Sequence, residues 1–338
     1  MDTVTLLDVT YGIPQTMSFA MMFYRMDVLA RLGVGVPETW DELLACLPAI
    51  QANNMSIGVD YISALDFMIY QYGESLWKYT DSDVYDSMYA GAKINFDNEV
   101  VQNSFEFVCR LYSDYSFPIS YDAANRFRTG EIPILVGGYC GLYNQLVVYA
   151  TEIEGLWEFY SLPGVMRDTD GDGRGDTLHY ESLAGVTATV MVRGCDNLLA
   201  SWQFAQWNSA ADVQALYGNK MVALIGPSAK YETANLRAID DLSWTATEKL
   251  AIMDQMANMC SIVNYPGSYI YNRYIKFAFL DAVNDGANPA EALQSYIETI
   301  NSELTRKREE FAHAGLWVPK DTTDEPEMLY DPKNPDNK

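Results

Sequence analysis

The stretch Arg167-Asp168-Thr169-Asp170-Gly171-Asp172-Gly173-Arg174-Gly175-Asp176 concentrates hard oxygen donors in ten residues. Counted from Asp168, carboxylates stand at positions 1, 3, 5 and 9, as Asp168, Asp170, Asp172 and Asp176. Gly173 at position 6 permits a sharp turn, and the Arg174 carbonyl is available at position 7. Calcium takes several carboxylate and carbonyl oxygens from a flexible loop, and this spacing suits it. Position 12 is His179 rather than a bidentate Glu, and strands are expected on both sides, so a helix-flanked EF-hand is excluded. Two readings stand. One is a structural calcium clip, since a wrapped ion leaves little room for substrate chemistry. The other is a solvated acidic turn whose charge Arg167 and Arg174 offset.

Other metal and nucleophile chemistries are poorly supplied. The chain has 2 His and 5 Cys, namely Cys46, Cys109, Cys140, Cys195 and Cys260. No two form a CxxC pair, so a zinc knuckle or a disulfide framework is not indicated, and the cysteines read as small buried hydrophobes. The net charge of -24 repels phosphate backbones and anionic lipid, which excludes nucleic acid as a partner and favours neutral or cationic ligands. The 24 Tyr and 7 Trp offer flat apolar faces with polar tips, which suits a sugar ring. Trp40, Trp202, Trp207 and Trp244 read as core. No run of apolar residues is long enough to span a bilayer, and the opening MDTVTLLDVTYG lacks the basic and apolar regions of a signal peptide.

These side chains need a scaffold, and 338 residues suffice for two domains or one two-lobed unit. Residues 4–13 read as a strand, and YGIPQT as a turn or crossing segment. A short helix follows, stopped by Gly33. In VPETWDELLACLPAI, Thr39 and Glu42 form the ends of a capping box before an apolar helix. IGVDYI is a short strand and SALDFMIYQYG a helix. In NEVVQNSFEFVCRLYSDY, Val101, Phe105, Val108 and Leu111/Tyr112 share one helical face. FRTGEIPILVGGY is a turn and a strand ending on two glycines, GLYNQLVVYATEI a helix, and LWEFYSLPG and GVTATVMVRGC strands. NLLASWQFAQWNSAADVQALYGN is a helix or helix pair, and the remainder is helical, with Asn288-Pro289 as an N-cap and N1 pair. Short strands alternating with helices give an α/β fold.

Several of these segments together resemble the extracellular solute-binding proteins of ABC-type sugar importers, the maltose-binding-like group. YGIPQTMSFAMMFYRMDVLARLGVGVPETWDELL resembles the group's crossing strand and following helices. FRTGEIPILVGGYCGLYNQL resembles its strand ending at the ligand cleft, and WQFAQWNSAADVQALYGN its first-lobe helices. PGSYIYNRYIKFAFLDAVNDGANPAEALQSYIETINSELTRKREEF resembles the C-terminal helices of a Gram-positive subgroup. The resemblance covers residues 10–312 and implies a two-lobed, type II periplasmic-binding-protein-like fold. The chain starts just before the crossing strand, so the first lobe is expected to be incomplete, as residues 1–16 and 184–221. The helix-rich second lobe is expected at 17–183 and 222–316, and a loose tail at 317–338.

The resemblance further implies a carbohydrate ligand, an oligosaccharide by expectation, in an inter-lobe cleft. It implies an ABC transporter permease as partner, a monomer, and a place outside the cell, with a lipoprotein anchor in the full-length form. On the matched segments the expected ligand-binding residues are Gln15, Asp60, Tyr61, Asp66, Tyr139, Tyr143, Trp157, Tyr269, Asn272 and Arg273, with Gly137-Gly138 admitting the ligand to the backbone. For each residue taken singly, core packing or simple solvation is the competing explanation. Two other classes compete at the level of function. One is a glycoside hydrolase, although no pair among 46 Asp and Glu is marked for it. The other is a calcium-stabilised interaction module.

Overall fold

The computed structural model describes residues 4–6, 9–78, 92–192, 194–262 and 265–313. The tail expected at 317–338 lies outside the described residues.

The strand Ala20–Arg25 organises the larger part of the chain. It lies in a four-stranded sheet in the order Ile57–Gly58, Ile134–Gly138, Ala20–Arg25, Trp157–Tyr160. Ile57–Gly58 runs parallel to Ile134–Gly138, and Ala20–Arg25 is antiparallel to both its neighbours. Successive strand side chains point to opposite faces. Met21 and Phe23 therefore enter one core with Phe127, Leu135, Leu146 and Ile252, while Met22 enters the other with Leu43, Ile57, Phe105 and Phe279. Both faces are covered by helices, which explains why AMMFYR reads as a continuous apolar run rather than an alternating one. The helix Glu99–Ser113 buries Val101, Phe105, Val108, Leu111 and Tyr112, the face its spacing marks out.

Local signals fix most element ends. The helix Met26–Leu32 stops at Gly33, which adopts φ 68, a left-handed cap that glycine enters without steric cost. The Thr39 hydroxyl accepts from Glu42 N at 3.1 Å, but the Glu42 carboxylate reaches Glu38 N at 2.8 Å instead of the cap residue. A complete reciprocal box occurs at Thr245 and Glu248, at the start of the helix Ala246–Ala257.

The opening departs from the sequence reading. Among the described residues only Thr5–Leu6 and Val9–Thr10 pair there, and YGIPQT, read as a turn or crossing segment, runs into the strand Ile13–Ser18, the crossing strand that the resemblance implies. Tertiary pairing overrides Pro14. The strand pairs antiparallel with Gly185–Thr189, and Thr187 and Ala188 oppose Thr16 and Pro14, so Gln15 is the extra residue of a bulge. A bulge is where a strand tolerates proline. On its other side Met17 N donates to the Glu232 carbonyl and Ala234 N to the Gln15 carbonyl. The chain thus passes this point three times, at 13–18, 185–189 and 232–234.

The helices Leu198–Ser209 and Ala211–Ile225 lie beyond these passages. Trp207, expected in the core, is 57% exposed and sits 5.6 Å from Phe204. Apolar residues occur on every side of that helix, so no single face can bury them all. Cys46, Cys109 and Cys140 are buried as expected, whereas Cys195 and Cys260 are half-buried.

Candidate functional site

In open α/β sheets, ligand sites form beyond the carboxyl ends of the strands, where the chain turns into helices. Here that edge is where Ile57–Gly58 leads through Val59 into Asp60, and where Ile134–Gly138 leads into Tyr139. Asp60 caps the helix Tyr61–Gln71; its Oδ2 accepts from Ser63 N at 3.0 Å and Ser63 Oγ at 3.1 Å. Its side chain is exposed, and Oδ1 has no hydrogen bond among the described residues. The space in front of Gly138 is open, since a Cβ there would meet nothing within 4 Å. The helix Tyr139–Tyr149 begins at Gly138 without a side-chain cap.

Tyr61 stands beside Asp60. One face of its ring stacks on Phe279, with centroids 4.0 Å apart and planes 9° apart, and its edge meets Tyr112 at 6.1 Å. The Tyr112 hydroxyl donates to the Val59 carbonyl at 2.6 Å. Burial pushes the hydroxyls of Tyr61, Tyr112 and Tyr121 up, the last to about 12, and the Asp60 charge adds to each. All three hydroxyls therefore remain protonated hydrogen-bond donors around neutral pH. Behind the edge, Asp66 is buried and accepts a short hydrogen bond from the Tyr271 hydroxyl. Burial pushes its carboxyl up to about 7, against the opposing effect of that bond.

The ten expected ligand residues do not form one pocket. Asp60 and Tyr61 lie at the carboxyl edge. Gln15 is on the crossing strand, where its Oε1 accepts from Thr189 Oγ1 at 3.4 Å. Tyr139 is 2% exposed and stacks on Phe19 at 4.3 Å, so its ring offers no free face. Asp66 is likewise interior, because the helix that Asp60 caps turns it toward Tyr271. Tyr269 is exposed and donates to Glu303 at 2.5 Å. Asn272 and Arg273 are exposed on the helix Tyr271–Val283, whose buried face carries Tyr271, Ile275 and Phe279. Sequence reading missed Ser182, whose Oγ accepts from Ala20 N and donates to the Ala20 carbonyl, both at 3.1 Å. No local pattern marks it; only the fold brings residues 20 and 182 together.

Tyr143 and Trp157 do meet, with centroids 5.5 Å apart, but in a different place. They line a groove of about 790 Å³ between the helix Tyr139–Tyr149, the strand Trp157–Tyr160 and the start of Ala246–Ala257. Lys230 projects into it, 4.5 Å from the Trp244 ring centroid and 5.7 Å from that of Tyr143.

The acidic stretch forms the tip of a hairpin between the antiparallel strands Val165–Arg167 and Thr177–His179. Ligand oxygens of Asp168, Asp170 and Asp176 lie within 4.8 Å of one another, and all three residues are exposed. Asp172 stands outside this trio; its Oδ1 accepts from Arg174 N at 2.8 Å. Asp168 accepts from Gly171 N at 2.6 Å and Gly173 N at 2.7 Å, at glycines with φ of 82 and 85.

The family model for bacterial extracellular solute-binding proteins matches residues 1–239. No curated protein matches the sequence. Among solved structures, the sugar-binding protein MalE of Xanthomonas citri is 19% identical with a TM-score of 0.69, over 92% of this chain and 75% of that one. A solute-binding protein of Thermotoga lettingae, bound with α-D-tagatose, is 19% identical with a TM-score of 0.62, over 89% and 74%. The GacH receptor of Streptomyces glaucescens, solved with acarbose, is 17% identical with a TM-score of 0.61, over 89% and 73%. At such identities the likeness is one of fold, that of the two-lobed binding proteins.

Proposed function

This chain belongs to the bacterial extracellular solute-binding proteins, and on that premise we propose that it captures a neutral carbohydrate between two lobes, without chemistry, and delivers it to an ABC transporter permease. The observation that carries the reading is the triple passage at 13–18, 185–189 and 232–234. It lies next to the open carboxyl edge at Asp60 and Gly138. Short paired segments of this kind can act as a hinge, and closure about a hinge removes water from a ligand at the edge. The tagatose and acarbose of the relatives support a sugar, and the net charge of -24 disfavours an anion. The lobes are proposed as residues 1–16 with 184–221, and 17–183 with 222–316. The protein acts as a monomer at the cell surface, held by a lipid anchor, with an oligosaccharide as ligand.

In this site Asp60 Oδ1 accepts from sugar hydroxyls, the Tyr61 ring lies along a pyranose edge, and the bare Gly138 backbone lets the ring approach. A hydrolase reading needs a proton donor that reaches substrate. Asp66, a carboxyl that burial raises, is closed off with Tyr271 in the interior. Titration calorimetry with maltose, maltotriose and tagatose tests the proposal. Asp60→Asn keeps the helix cap but loses a charged acceptor, so affinity should fall about tenfold or more, from roughly 1.5–3 kcal/mol per hydrogen bond to a charged group. Silence with every sugar, or an unchanged affinity in Asp60→Asn, overturns it.

We also propose that the hairpin tip holds a structural calcium ion through Asp168, Asp170 and Asp176. Three carboxylates in reach of one point, on a loop held open by two left-handed glycines, support it. Asp172 and the Arg174 carbonyl, named with them from the sequence, join only if the tip rearranges around the ion. Calcium at a hundredfold excess over its Kd should stabilise the fold by about 2.7 kcal/mol. A thermal melt unmoved by calcium and by EDTA identifies a solvated turn instead.

A further inference from the structure

The groove beside Tyr143 is separate from the carboxyl edge, and its chemistry differs. Its floor is aromatic: Tyr143 packs edge-on against Trp157 and Phe159, at 5.5 and 6.2 Å between centroids, and is backed by the buried Trp244 at 4.9 Å. Its polar rim is acidic, with Glu154, Glu158 and Glu248 among the lining residues and Lys230 as the single cation there. That ammonium is already engaged, donating to the Ser243 carbonyl and lying over the Trp244 face. Three carboxylates against one ammonium leave the groove net negative, within a protein of net charge -24, although Glu248 already accepts from Thr245 N at 2.7 Å and Glu158 from the Tyr24 hydroxyl at 3.1 Å. An aromatic face attracts a cation through its ring quadrupole, and Lys230, 5.7 Å from the centroid of the lining Tyr143 ring, shows that this wall accepts an ammonium group. A volume of about 790 Å³ exceeds what one ammonium group fills and suits a ligand with an alkyl stem.

We propose that this groove is a second ligand site, which takes an organic amine cation. The alkyl stem lies along Val147 and the Tyr143 and Trp157 rings, and the ammonium groups meet the carboxylates of Glu154 and Glu248. Burial pushes the Lys230 ammonium below its ordinary range, in keeping with a partly desolvated groove rather than an open surface. The Tyr143 hydroxyl is raised by burial and by the Glu248 and Glu154 charges, so it stays neutral and adds no repulsion of its own.

Titration calorimetry with spermidine, at low and at high salt, tests this on the full chain. One spermidine should bind per chain, more weakly as salt rises. Glu154 is exposed, so Glu154→Gln is expected to fold normally and to weaken binding up to about fivefold. Thr151→Trp fills the groove from its rim and should abolish the spermidine heat while leaving any sugar heat unchanged. Three results overturn the proposal. The first is no spermidine heat. The second is spermidine binding that neither variant changes, which marks diffuse attraction to an acidic surface. The third is a maltotriose heat that Thr151→Trp removes, which makes the groove a neutral glycan site. A failure of sugar binding at Asp60 affects none of these outcomes.

Discussion

Asp66→Asn should stabilise this protein above neutral pH and flatten its pH dependence. Asp66 is interior, and its folded carboxyl is raised from 3.8 to about 7 by burial. Below about pH 4 it is protonated in both the folded and the unfolded chain and costs nothing. As pH rises past 3.8 the unfolded chain ionises first, so stability falls, and the loss levels off above about pH 7. The gap amounts to about 4 kcal/mol at roughly 1.4 kcal/mol per pH unit. Asparagine cannot ionise and still accepts from the Tyr271 hydroxyl through Oδ1. Its amide N–H groups need partners of their own, at a cost of about 1–3 kcal/mol, so the net gain near pH 8 is about 1–3 kcal/mol. Urea denaturation from pH 4 to 8 checks this. A variant less stable than the parent at pH 8, or a parent whose stability does not decline between pH 4 and 7, contradicts the assignment.

Phe279→Ala should cost about 3–5 kcal/mol, a large share of the roughly 5–15 kcal/mol that holds a domain together. Phe279 is fully buried, stacked on Tyr61 at 4.0 Å and edge-on to Tyr112 at 5.0 Å. Its removal leaves a cavity beneath the carboxyl edge and frees the ring that stands beside Asp60. Phe279→Leu separates the two effects. Leucine fills much of the space, so most stability remains, but the stacked partner is gone and Tyr61 loses its fixed orientation. The leucine variant should therefore bind sugar more weakly than the parent, with a urea midpoint lowered much less than in the alanine variant. Equal affinity in parent and leucine variant would mean that Tyr61 orientation does not matter to the ligand.

Much of the larger body is legible from residue order. The stop at Gly33, the Thr39 cap, the apolar face of Glu99–Ser113 and the Asn288-Pro289 start are local, and each occurs where the sequence marks it. The candidate site is less legible. Tyr139 and Tyr143 are one helical turn apart, yet one is stacked in the core on Phe19 and the other lines a groove with Lys230. Nothing in GGYCGLYNQL distinguishes them, because the difference lies in what packs on each side. Asp60 and Asp66 are similarly alike in sequence, but one is an exposed cap and the other a buried acceptor for a hydroxyl 205 residues away.

The sequence by itself determined the α/β character, the helix ends, the acidic turn and the membership of an extracellular binding family. The first three depend on periodicity, capping and turn residues, which act over a few positions, and the family resemblance depends on the order of longer matched segments. Only the tertiary structure decided that IPQTMS pairs with residues 185–189 with its bulge at Gln15, and that residues 232–234 form a third passage beside it. It also decided that Asp172 stands apart from Asp168, Asp170 and Asp176. Strand pairing and side-chain convergence join residues far apart in the chain. Their energies come from partners that no local window contains.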